Sequence, residues 1–316
     1  MKNAHISHLI LSGGGFKGMC FIGVLRYFLI EEMLDDVKYI AGASIGSLFG
    51  VIFALKIPLE FLEKEFIESL NEFIKEDSSI KHNDIYNLLN NLGFKNLVLL
   101  TRPITRFLKI KYGSEDISFI EFTKRTGVNI YVSCTNFNTM CNKIFSLETT
   151  PDINVIDTIR ASMSIPFVYQ PIKINGEFFV DGILTKTFNP KNIFTDVSSN
   201  NVLYLQLCTG DSELPKPIPP NELDMNLLQY GFRMIQILIA SVIQSNAENE
   251  FENCTNTVKF EKSPYDSAIR FLTEDNHLKI DVSLEDFDNL IVYGFIVISE
   301  YMFKRYGKQT IVEKDP

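Results

Sequence analysis

Two strand–glycine–helix passages occupy the first 55 residues, and they constrain the fold more than any other feature of the chain. The run Ile6–Leu11 reads as a short strand, enters Ser12-Gly13-Gly14-Gly15, and is followed by a nearly all-round apolar stretch, Met19–Leu34. Val37–Ala43 is a second short strand, and a helical pattern from Ser44 to Leu55 follows directly. A helix that is apolar on all sides belongs inside a large domain. Strands alternating with such helices predict a parallel sheet covered by helices. The 316 residues suffice to bury that core, and 46% hydrophobic with 22% charged residues excludes a disordered, collagenous or fibrous chain. The 30 basic and 39 acidic side chains give a net charge of -9. That field repels nucleic acid at long range, so no nucleic-acid partner is expected.

Beyond Leu55 the character changes. Leu59, Leu62, Phe66, Leu70 and Phe73 recur at helical spacing from Pro58 onward, with Glu and Lys between them. No strand is expected before Thr126, so residues 58–126 read as a helical insertion on the α/β core. Strands resume at Val128–Cys134 and Asn142–Leu147, and a helical stretch ends at Pro166. Pro171–Val180 is centred on Asn175-Gly176, a strong short-range hairpin signal. Val202–Cys208 reads as a buried strand and the Pro-rich Leu214–Pro220 as a surface connection. Helices are expected at Glu222–Ala247 and Leu284–Tyr306, the last opening on Ser283-Leu284-Glu285-Asp286 and closing at Gly307. The expectation is one domain over 1–316, mainly helical over 211–316.

The sharpest chemical signal is Gly42-Ala43-Ser44-Ile45-Gly46, a GxSxG at a strand-to-helix junction. Chance would supply the pattern roughly 0.06 times in such a chain, so the spacing carries information. A serine on so tight a turn sits at strained backbone angles, and the following helix points its first N–H groups toward it. The plain alternative is a glycine-flanked turn with an inert serine. Gly13-Gly14-Gly15-Phe16-Lys17-Gly18, after the first strand, can gather backbone N–H groups around an anion or an oxyanion. The same residues satisfy GxGxxG. Dinucleotide binding, however, wants an acid near the end of the second strand, and that strand ends in Gly42-Ala43-Ser44. The phosphate-loop order also fails, because Gly18 follows Lys17.

A serine needs a proton acceptor. His5 and His8 lie at the wrong end of the first strand, while His82 and His277 lie in polar stretches. Each reads most simply as a structural or solvated histidine. Asp181 is the better candidate base, since the apolar Phe178-Phe179-Val180 delivers it into Gly182, where desolvation would raise its proton affinity. An ordinary Asp-Gly turn is the alternative. No His, Cys, Asp or Glu cluster shows metal-ligand spacing, and the five cysteines are scattered without a CxxC, which fits a reducing compartment.

Together these pieces resemble the patatin-like phospholipases, serine lipid acyl hydrolases with a GGGxR/KG loop, a GxSxG and a distant Asp-Gly. Ala161-Ser162-Met163-Ser164-Ile165-Pro166, followed by Pro171, is similar to a fourth segment of that family. The resemblance covers about residues 6–185. It implies a three-layer α/β/α fold with a mostly parallel central sheet, a Ser–Asp dyad without histidine, and no cofactor or metal. By that resemblance Ser44 is the nucleophile between Gly42 and Gly46, and Asp181 is the base. Gly13, Gly14 and Gly15 form the oxyanion hole, and Lys17 structures the loop or favours anionic head groups. The implied reaction is phospholipase A-type cleavage of an acyl ester through an acyl-enzyme. An alternative is a Ser-Asp-His esterase using His277, and another is a catalytically silent lipid-binding module.

Between Ile85 and Ser114 there is no acid, while Lys95, Arg102, Arg106, Lys109 and Lys111 interleave with apolar residues. This segment is read as a mobile flap near the site, with Lys109 and Lys111 contacting lipid. A charged solvent face over a buried apolar stripe is the competing reading. The start of the chain lacks a signal-peptide core, and no run reaches the 18 apolar residues a span needs. The expected setting is cytoplasmic, with transient peripheral contact at membranes and a phospholipid or related acyl lipid as partner.

Overall fold

The computed structural model describes residues 5–75, 90–185, 201–208, 256–261 and 283–307, with isolated positions at 194, 234, 237, 270–271 and 278–279. The strands expected at the start of the chain are β1 (His8–Leu11) and β2 (Tyr39–Ala43), and they are covered by α1 (Cys20–Ile30) and α2 (Ile45–Leu55). Residues 58–126 hold α3 (Leu59–Lys75), β3 (Gly93–Lys95), α4 (Val98–Tyr112) and α5 (Phe119–Thr126). Next come β4 (Asn129–Asn136), β5 (Cys141–Phe145), α6 (Val155–Met163), β6 (Phe167–Tyr169), β7 (Ile172–Ile174) and β8 (Glu177–Asp181). Strands β9 (Val202–Leu207) and β10 (Thr257–Phe260) and helix α7 (Leu284–Tyr306) complete the elements used below.

The main sheet runs β10-β9-β1-β2-β4-β8-β7, with β5 also on β4. Pairs β10/β9, β9/β1, β1/β2 and β2/β4 are parallel, whereas β4/β5, β4/β8 and β7/β8 are antiparallel. This is an α/β fold with a mostly parallel central sheet. Burial explains the near-continuous apolar runs. Leu9 and Leu11 of β1 face the large cluster that holds all of the described helices, while Ile10 faces a second cluster with Ala41, Ala43, Val202 and Tyr204. Phe194 covers that second face against the rings of His8, Tyr39 and Tyr131. A sheet buried on both faces shows no polar alternation.

Helices α1 and α7 meet backbone to backbone. A Cβ on Gly23 would lie 2.0 Å from the Ile291 carbonyl, and one on Gly294 would lie 1.9 Å from that of Cys20. Only glycine permits this approach. Helix α7 begins as expected, with Ser283 and Asp286 exchanging capping hydrogen bonds. The Asn175-Gly176 hairpin joins β7 to β8.

The insertion differs from its sequence reading in one respect. It contains strand β3, which pairs in parallel with β6, and neither was expected. Three residues are too few to show a period. The Glu222–Ala247 helix and the Leu214–Pro220 connection lie outside the described residues.

Candidate active site

Strand β2 ends at Ala43 and α2 begins at Ile45, so Ser44 alone turns the chain. It does so at φ 52°, ψ −129°. A non-glycine residue held in such a region costs about 1–3 kcal/mol, which the surroundings must offset. Those surroundings are specific. The Ser44 N–H donates to Ser162 Oγ at 2.8 Å, and Ser162 Oγ donates to the Ser133 carbonyl at 2.6 Å. Ser47 Oγ donates to the Ser44 carbonyl at 2.7 Å. Both glycines of the GxSxG are required by contact: a Cβ on Gly42 would sit 2.4 Å from the Gly46 carbonyl oxygen, and one on Gly46 would sit 2.3 Å from that of Leu11.

Sheet register brings the carboxylate to this corner. Ala43 stands opposite Ser133 on β4, and the next residue, Cys134, stands opposite Asp181 on antiparallel β8. Ser44 Oγ donates to Asp181 Oδ2 at 2.8 Å, and the Ile183 N–H donates to Oδ1 at 2.9 Å. No histidine stands between hydroxyl and carboxylate. Asp181 is 1% exposed. Burial raises its pKa to about 7, the two hydrogen bonds pulling weakly the other way. A carboxyl poised near neutrality can both take and return a proton.

The glycine loop lies against the serine. A Cβ on Gly13 would come within 3.1 Å of Ser44 Cβ, and one on Gly14 would collide with the Leu207 side chain at 2.6 Å. Gly15, at φ 54°, opens a short 3-10 turn, Gly15–Met19, that runs on into α1. The N–H groups of Gly14 and Gly15 make no hydrogen bond among the described residues. Gly15 and Ser44 line the same cavity. Ser12 Oγ fixes the loop from below, accepting from the Leu207 N–H at 2.7 Å and donating to the Gly13 carbonyl at 3.1 Å. The buried Lys17 ammonium donates to the carbonyls of Cys208 at 2.7 Å and Glu261 at 2.8 Å. It thereby ties the loop to the ends of β9 and β10.

Ser44 lines a cavity of about 90 Å³ that is partly open to solvent. Its other walls come from Gly15 and Phe16, from the insertion through Phe66, Leu70 and Leu100, and from Met163, Val168 and Phe287. None of the described lining side chains is charged. Tyr169 also lines it, its phenol pushed up to about 12 by burial and therefore protonated.

Other candidates stand elsewhere. His8 starts β1, stacks on Tyr39 at 4.5 Å, and is held neutral by burial, with a pKa near 4. His5 pairs with Asp36 at 3.4 Å. His82 and His277 lie outside the described residues. Acids from α3 answer the basic stretch: Arg102 pairs with Glu72, and Arg106 with Glu65 and Glu68. Lys109 pairs with Glu115 at 3.0 Å, and the Lys111 ammonium lies over the Phe107 and Tyr112 rings. Ile104 and Leu108 are buried beneath. Basic side chains of α4 thus sit beside acids of α3 and over buried apolar residues. Sequence reasoning gave Ser162 and Ser133 no role, although Ser162 lies in the segment similar to the family. Among the described residues no group of three or more potential metal ligands occurs.

The patatin-like phospholipase family model matches residues 9–192, more than half of the chain. The chain belongs to that family. It is 28% identical over 198 residues to an uncharacterized protein of Acanthamoeba polyphaga mimivirus, covering 62% of this chain and 64% of the relative. It is 28% identical over 192 residues to the "Probable lipid hydrolase 463L" of Invertebrate iridescent virus 6, covering 60% and 63%. The match thus spans just under two thirds of these curated relatives. The fold resembles VipD from Legionella pneumophila, with a TM-score of 0.52 at 12% identity, covering 95% of this chain and 67% of that one.

Proposed function

We propose that this protein is a phospholipase A-type lipid acyl hydrolase working through a Ser44–Asp181 dyad. The observation that carries the reading is the direct 2.8 Å hydrogen bond from Ser44 Oγ to a buried carboxyl whose pKa is about 7. Ser44 Oγ attacks the ester carbonyl of a phospholipid or related lipid as Asp181 takes its proton. The tetrahedral oxyanion forms against the N–H groups of Gly14 and Gly15, with Gly13 completing the loop. Donors of this kind are worth roughly 3–4 kcal/mol each in comparable enzymes. Asp181 then passes the proton to the departing alcohol, leaving an acyl-enzyme on Ser44. Water, deprotonated by the same carboxylate, releases the fatty acid. The uncharged cavity takes the acyl chain, and residues 58–126 act as its movable cover.

Exposed Leu92, Val98 and Phe167 border the cavity-lining Leu97 and Val168. We assign them, with Lys109 and Lys111 farther along α4, to the face that meets lipid. No described helix is long and apolar enough to cross a membrane. The test is a lipid panel with wild type and Ser44→Ala, following released fatty acid and lysolipid. Release by wild type alone supports the reading, and equal release by both rejects it. For the lipid face, charge reversal at Lys109 and Lys111 should weaken binding to anionic vesicles; unchanged binding removes those lysines from it.

A further inference from the structure

The cavity wall carries two polar side chains that the reaction does not use, the protonated Tyr169 phenol and Ser69. Ser69 sits on α3 between the cavity-lining Phe66 and Leu70, at 2% exposure. Its Oγ has no hydrogen-bond partner among the described residues. A serine within a helix commonly donates to the carbonyl four residues back. Ser69 does not, although neighbouring helical hydroxyls do satisfy themselves on the backbone: Thr101 Oγ1 donates to the Leu97 carbonyl at 3.1 Å and Thr105 Oγ1 to that of Arg102 at 3.2 Å. Buried hydroxyls are nearly always paired, so one left open on a ligand cavity points to a partner that arrives with the ligand.

The surroundings decide what kind of partner. Phe66, Leu70, Leu97 and Leu100 share this part of the insertion, and among the described residues no charged side chain lines the cavity. A phosphate or ammonium head group would find nothing there to neutralise it. An alkyl chain fits throughout, except that a plain one leaves the Ser69 hydroxyl unanswered.

We propose that the cavity selects acyl chains bearing an oxygen substituent, a hydroxy or oxo fatty acyl group, and that Ser69 Oγ is the hydrogen-bond partner of that oxygen. The inference rests on the reading of this cavity as the acyl site of Ser44. Ser69 acts here as a specificity residue, remote from the bonds that change.

The test uses binding, so that it does not depend on turnover. Fatty acids of one chain length, unsubstituted or carrying a single hydroxyl or oxo group moved along the chain, compete with a fluorescent fatty acid for Ser44→Ala protein. At least one oxygenated isomer should bind about tenfold tighter than the unsubstituted acid, as one neutral hydrogen bond provides. Adding Ser69→Ala should remove that advantage, and Ser69→Thr, which keeps a hydroxyl, should retain most of it. In wild type, the ratio of kcat/KM for the matching oxygenated and plain esters should follow the same order. Equal affinity across the series overturns the proposal, as does an advantage that survives Ser69→Ala or a cavity that takes no fatty acid. Ser69-dependent binding by a protein that hydrolyses no ester refutes the catalytic reading alone.

Discussion

Replacing Asp181 by Asn probes the carboxyl's environment without any substrate. An unperturbed aspartate titrates near 3.8, and burial lifts Asp181 to about 7 in the folded protein. At about 1.36 kcal/mol per tenfold change in proton affinity, that difference amounts to about 4 kcal/mol. Below about pH 4 both folded and unfolded chains carry the proton, and the group contributes no pH dependence. Between there and about pH 7 the unfolded chain has released its proton while the folded one keeps it, so stability falls as pH rises. Above about pH 7 the full loss is present. Asparagine cannot ionise. Its carbonyl oxygen can still accept from the Ile183 N–H, and its amide can donate to Ser44 Oγ, so both bonds of the wild type have a counterpart. Urea unfolding of wild type and Asp181→Asn at about pH 5 and about pH 8.5 should show the variant gaining about 2.7 kcal/mol on wild type, the part of the window between pH 5 and the folded pKa. Other titrating groups cancel in that difference. A gap that stays constant with pH, or reverses, would refute the claim that burial dominates at Asp181.

Three further outcomes follow from the same geometry. Ser162→Ala removes the acceptor of the Ser44 N–H and should lower stability by about 1–2 kcal/mol in thermal unfolding. It should also depress kcat more than it raises KM, because the elbow loosens. Gly294→Ala forces a methyl into the Cys20 carbonyl, so chemical denaturation should show a loss of about 3 kcal/mol or a failure to fold. Lys17→Met leaves the Cys208 and Glu261 carbonyls without their charged donor and should cost about 2 kcal/mol by urea titration, with ester hydrolysis falling as the glycine loop shifts.

Much of the site was legible because its local chemistry is dense. Gly42 packs on the Gly46 carbonyl and Ser47 caps that of Ser44, contacts within a few residues that leave a sequence pattern, whereas Gly46 also packs on distant Leu11. Asp181 could be singled out by its apolar strand and Gly182, but not its partner strand. Antiparallel pairing of β8 with β4 is a long-range fact, and the register Cys134 to Asp181 has no local signature. Ser162 was hidden for the same reason: its value lies in bridging the Ser44 N–H and the Ser133 carbonyl, which sit 118 and 29 residues away. The basic stretch of α4 likewise has partners that its own sequence does not show. Read along the chain it lacks acids, yet Glu65, Glu68 and Glu72 approach it from α3. The short strands β3 and β6 escaped because mutual pairing, more than propensity, makes them strands.

The central claim is that Ser44 is a nucleophile because Asp181 removes its proton. Labelling with a fluorophosphonate, followed by peptide mapping, measures that step on the protein itself. The adduct is predicted on Ser44, at a rate that climbs with pH around a midpoint near 7 and collapses in Asp181→Asn. An adduct on a different residue, or a Ser44 rate indifferent to the loss of the carboxylate, would contradict the account.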